Sequence, residues 1–131
     1  MSDRKKSIRT PLSRVRYLGA AHSGTRHFWH QRLTSVALIP LTIGAVFLVI
    51  SLLGRNHAAV VQILGSSPVA IGLLLFVLVS VYHMWLGMQV IIEDYVHDDL
   101  PKYAALMSNT FFSCAVGITA VFAILKLSFG L

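Results

Sequence analysis

Between Ala58 and Ile92 the sequence offers one imidazole, His83, and one other titratable group, the adjacent Tyr82. The surroundings are apolar, so an ionisable side chain there is costly and by default marks a site facing the interior of a helix bundle. On a helix, Ser80 and Gly87 stand at i−3 and i+4 from His83 and share its face. Two small residues flanking an imidazole leave room for something flat and bulky. An imidazole in such a setting is the usual protein ligand to a b-type heme iron. The same side chain could equally hydrogen-bond a neighbouring helix and do no more than hold the bundle together.

Twelve residues beyond His83 stands Tyr95, directly after Asp94. A phenol beside a carboxylate, with an arginine near, can hydrogen-bond a quinone carbonyl and help deliver protons to it. The pair also suits a plain helix end and the aromatic belt at a membrane surface. Cations to meet heme propionates would come from Arg26 or Arg32.

The elements that must position these groups are set by composition. Of 131 residues, 56% are hydrophobic and only 12% charged, which is too apolar for an ordinary soluble domain and points to one compact membrane domain. The formal net charge of +6 does not indicate nucleic acid, because eight of the eleven Lys and Arg lie at or before Arg32. A basic block ahead of a first apolar segment is a topology signal. The lone Cys114 offers neither a disulfide nor a thiol metal site and reads as a small buried hydrophobe. No apolar core of a cleavable signal peptide occurs in the first thirty residues.

Residues 1–24 form a basic arm broken by Pro11, Gly19 and Gly24, expected to be extended or partly disordered against anionic headgroups or a soluble partner. The octet from Thr25 to Arg32 reads as an interfacial anchor, with Phe28 and Trp29 at headgroup level. Spans are expected at about 33–54, 69–92 and 104–125, within a transmembrane domain covering 25–131. Pro40 should kink the first span or lie near its start, and Pro101 should set up the third helix. Residues 58–68 read as a short loop with an interfacial turn. The charge block predicts a cytoplasmic N-terminus in a bacterial inner membrane, or the matrix side of a mitochondrial one, with the C-terminus opposite. His83 then lies about 18 Å deeper than Tyr95. His22, His27, His30, His57 and His97 all fall outside these spans, so a second axial ligand would come from a partner subunit.

His83 to Tyr95, H-M-W-L-G-M with D-Y following, resembles the signature of the succinate dehydrogenase (complex II) hydrophobic membrane anchor D-subunit family. Gly24 to Ser35, G-T-R-H-F-W-H-Q-R-L-T-S, is similar to that family's segment before the first span, so the likeness runs from about Gly24 to the C-terminus. The resemblance implies an all-α membrane protein, three transmembrane helices forming half of a heterodimeric heme b anchor bundle. It implies His83 as an axial ligand to heme b, with the other ligand from the cytochrome b556 C subunit. It implies Tyr95 and Asp94 at the ubiquinone site and Arg32 near the propionates and quinone pocket. Further partners implied are the iron–sulfur subunit and the flavoprotein subunit. The chain itself has no flavin fingerprint and no cluster-binding cysteine set, so it would serve as a component of the enzyme rather than oxidise succinate alone. The alternatives are the anchor of a fumarate reductase, and a non-catalytic membrane assembly or transport subunit. Roles for Arg26, His27 and His30 are left open.

Overall fold

The computed structural model describes residues 24–130, and these are helical with no strand among them. The expectations for the basic arm before Gly24 fall outside the described residues. Four helices follow in order: α1 (Gly24–Leu52), α2 (His57–Gly65), α3 (Ser67–Tyr95) and α4 (Asp99–Phe129). Three of them, α1, α3 and α4, are long and apolar enough to cross a membrane. At 29, 29 and 31 residues they run about 44–47 Å, well beyond a hydrocarbon core of about 30 Å.

The excess length lies where the sequence becomes polar. Charges mark where hydrocarbon ends, but a helix keeps its backbone hydrogen bonds through the headgroup layer and stops only at a capping or breaking signal. Thus α1 begins nine residues before Leu33, and the Thr25–Arg32 octet forms its first turns rather than a separate anchor. Pro40 lies well inside α1, where it has no N–H to give the Val36 carbonyl; such a break is tolerated in membrane helices. Gly54, at φ +73°, takes the left-handed conformation that turns the chain out of α1.

The connection expected as a loop is largely α2. Asn56 caps it, its side-chain oxygen accepting the Ala59 N–H at 2.9 Å. The far end of α2 meets the C-terminal end of α4: a Cβ on Gly65 would lie 2.7 Å from the Leu127 carbonyl oxygen. Only glycine permits that approach. Pro68 starts α3, and Pro101 lies in the first turn of α4, which ends at Gly130 with φ +68°.

α3 is the central helix and packs against both α1 and α4. The buried apolar residues are few: Ala70, Leu86, Ile92 and Ile124. Large apolar side chains such as Leu33, Phe47, Phe111 and Phe122 instead face outward. In lipid there is no hydrophobic force between helices, so packing and interhelical hydrogen bonds hold them together. Cys114 departs from the expectation of burial: it is exposed on a cleft between α3 and α4, where lipid or a partner helix would cover it.

Candidate functional site

Five hydrogen bonds between long helices converge on the consecutive residues Tyr82–Leu86 of α3. From α1, the His27 Nε2–H donates to the Leu86 carbonyl at 3.3 Å, and His30 Nδ1 lies 2.5 Å from the Tyr82 hydroxyl. Thr34 Oγ1 lies 2.8 Å from His83 Nδ1. From α4, Asn109 Nδ2 donates to the Trp85 carbonyl at 3.0 Å, while Trp85 Nε1 donates to Thr110 Oγ1 at 3.1 Å. The Tyr82 and Trp85 rings stack at 5.9 Å. His27, His30 and Thr34 reach α3 together because spacings of three and four residues place them on one face of α1.

The contacts of Thr34 fix how His83 is used. The threonine hydroxyl also lies 2.8 Å from the His30 carbonyl and 3.0 Å from the Gln31 carbonyl, and it has one hydrogen for these acceptors. These contacts are best satisfied when the hydroxyl accepts from His83, which would put the imidazole proton on Nδ1 and leave the Nε2 lone pair. Nε2 has no hydrogen-bond partner among the described residues.

A Cβ on Gly87 would lie 3.4 Å from Gln31 Nε2, so the space beside that glycine is occupied by α1. With Thr34 and His83 in direct contact, no flat macrocycle fits between α1 and α3 at this level. The described residues hold no group of three or more His, Cys, Asp or Glu suited to a bare metal ion. One imidazole with a free Nε2 suits a single axial position of a heme, whose ring supplies its own four equatorial nitrogens. The donor chemistry of His83 therefore fits one axial ligand to a heme.

The other sequence candidates are not gathered around His83. Tyr95 is the last residue of α3 and 79% exposed, and neither it nor Asp94 has a side-chain partner among the described residues. Arg32 is exposed and lies over the Phe28 ring at 4.7 Å. Because Thr34 and His83 share a level and the helices run antiparallel, Arg32 stands about 15 Å deeper than Tyr95 along the bundle. Arg26 stands nearer the Tyr95 level. It joins His27, His30, Tyr82, Trp85, Leu86 and Gln89 around a cleft of about 430 Å³ between α1 and α3. Sequence reasoning missed Thr34, named Tyr82 without a role, and left those of His27 and His30 open. Their only signal is helical spacing, visible once α1 is allowed to start at Gly24.

The profile of the succinate dehydrogenase/fumarate reductase transmembrane subunit family matches residues 6–124. This chain belongs to that family. It is 31% identical over 121 residues to a succinate dehydrogenase hydrophobic membrane anchor subunit of Paracoccus denitrificans, covering 92% of this chain and 93% of that one. A protein of the same description from Rickettsia bellii is 26% identical over 117 residues, covering 89% and 94%. The succinate dehydrogenase membrane anchor subunit of Reclinomonas americana is 28% identical over 87 residues, covering 64% and 72%. No solved structure matches the chain at a comparable level of significance. The protein is thus a membrane anchor subunit of the succinate dehydrogenase/fumarate reductase family, and it works in a complex with other subunits.

Proposed function

We propose that this anchor joins the flavoprotein and iron–sulfur subunits of a succinate dehydrogenase to the membrane, gives one axial ligand to a heme b, and lines part of the ubiquinone-reduction site. The observation that carries the reading is the contact of His83 Nδ1 with Thr34 Oγ1, with Nε2 lacking a hydrogen-bond partner among the described residues. A bound heme would supply one-electron storage beside the path from the iron–sulfur subunit to quinone. His83 would hold the iron through Nε2. A heme would lie outside the α1–α3 pair, whose helices are in direct contact, and its second ligand would come from the partner anchor, the C subunit. Arg32, at nearly the depth of His83, would offset propionate charge. Tyr95, with a free hydroxyl at the end of α3, would donate to a quinone carbonyl, with Asp94 beside it as proton donor. The relatives named above favour succinate oxidation over fumarate reduction. The basic N-terminal block favours a cytoplasmic N-terminus in a bacterial inner membrane.

The test is a reduced-minus-oxidised spectrum of the purified complex with and without His83→Leu. A low-spin b-type signal that the substitution abolishes or shifts is expected. An unchanged spectrum would leave His83 as a hydrogen-bonding link between helices only.

A further inference from the structure

We infer that Thr34 is the positioning residue that presents the His83 lone pair to the heme iron, an inference that rests on the heme reading above. Thr34 Oγ1 has three polar neighbours, the carbonyls of His30 and Gln31 at 2.8 and 3.0 Å and His83 Nδ1 at 2.8 Å. If the hydroxyl donated to His83, its oxygen would face two carbonyl oxygens within 3.0 Å with no hydrogen between them, and His83 would carry its proton on Nε2, the wrong nitrogen for iron. If the hydroxyl directs its one hydrogen to the carbonyls and accepts from Nδ1–H, the contact with His83 is satisfied without a second hydrogen and Nε2 is free. Threonine is suited to the task. Its branched Cβ restricts χ1, and its back-bonding to the preceding turn fixes the oxygen relative to α1. The hydroxyl therefore acts as a rigid acceptor that selects the tautomer and the plane of the ring.

Ligating histidines in metal sites commonly use their second nitrogen in this way, usually toward a carboxylate, backbone carbonyl or water. A neutral hydroxyl is a weaker acceptor than a carboxylate, so His83 here remains an imidazole rather than acquiring imidazolate character. Removing the acceptor makes it a still weaker electron donor, which favours reduced iron.

The experiment compares wild type, Thr34→Val, Thr34→Ser and His83→Leu in the whole complex. It measures heme content, heme midpoint potential and the low-spin electron paramagnetic resonance signal of oxidised heme, which reports ring orientation. Thr34→Val is expected to hold heme about 10–100-fold less tightly, to raise the midpoint potential and to shift the resonance signal. Thr34→Ser should restore all three toward wild type. Wild-type heme content, potential and resonance in Thr34→Val would overturn the role of Thr34 while leaving His83 as ligand. Loss of the signal in His83→Leu is the separate check on the ligand itself. Should Thr34→Val fail to assemble, Thr34→Ala is measured in intact membranes. If both fail where His83→Leu assembles, Thr34 serves assembly, and the positioning role is rejected.

Discussion

Thr34 and His83 meet across α1 and α3 at 2.8 Å, a contact that holds the imidazole in place. Tyr95 ends α3 as an exposed phenol with no side-chain partner among the described residues. Tyr95→Phe isolates the hydroxyl while keeping the ring. Ubiquinone turnover should fall about ten- to a hundred-fold, or ~1.5–3 kcal/mol for a hydrogen bond to an oxygen gaining charge. Succinate oxidation with an artificial acceptor that bypasses the quinone pocket should stay near wild type. Unaffected ubiquinone turnover would make Tyr95 a belt tyrosine, and a joint fall in both assays would give it a part in assembly.

At the scale of elements, the number and order of the spans were legible, and their ends were not. Hydropathy reports contact with hydrocarbon, whereas helix ends depend on local signals such as Asn56, Gly54 and Gly130. Placing the start of α1 at the last charge put His27 and His30 outside the helix, and so hid the face that meets α3. The docking of α2 was hidden too, because it depends on a contact between residues 62 positions apart, Gly65 and Leu127. That contact can be tested. Gly65→Ala would press a methyl against the Leu127 carbonyl and cost about 1–3 kcal/mol. A lowered thermal midpoint of the detergent-solubilised complex is expected, with the heme spectrum unchanged because the contact lies at the far end of α3 from His83. An unchanged midpoint would mean that α2 does not dock on α4 in the assembled protein.

For the whole molecule, the small buried core and the outward-facing aromatics describe a bundle completed by lipid and by other subunits. The five hydrogen bonds at Tyr82–Leu86 give this loosely packed bundle a fulcrum. Helices pinned at one level swing about it when they tilt, and displacement grows with distance from the pin. The imidazole of His83 sits at that still point, while Tyr95, about 18 Å along α3, rides on the arm. Membranes of different thickness change helix tilt at a modest energetic cost. In vesicles of increasing acyl-chain length the heme midpoint potential should therefore hold constant while the Michaelis constant for ubiquinone drifts. A potential that drifts in step with it would show that no such fulcrum exists. An anchor built this way would keep a redox centre at His83 in register while a quinone mouth at Tyr95 adjusted to the bilayer it happened to occupy.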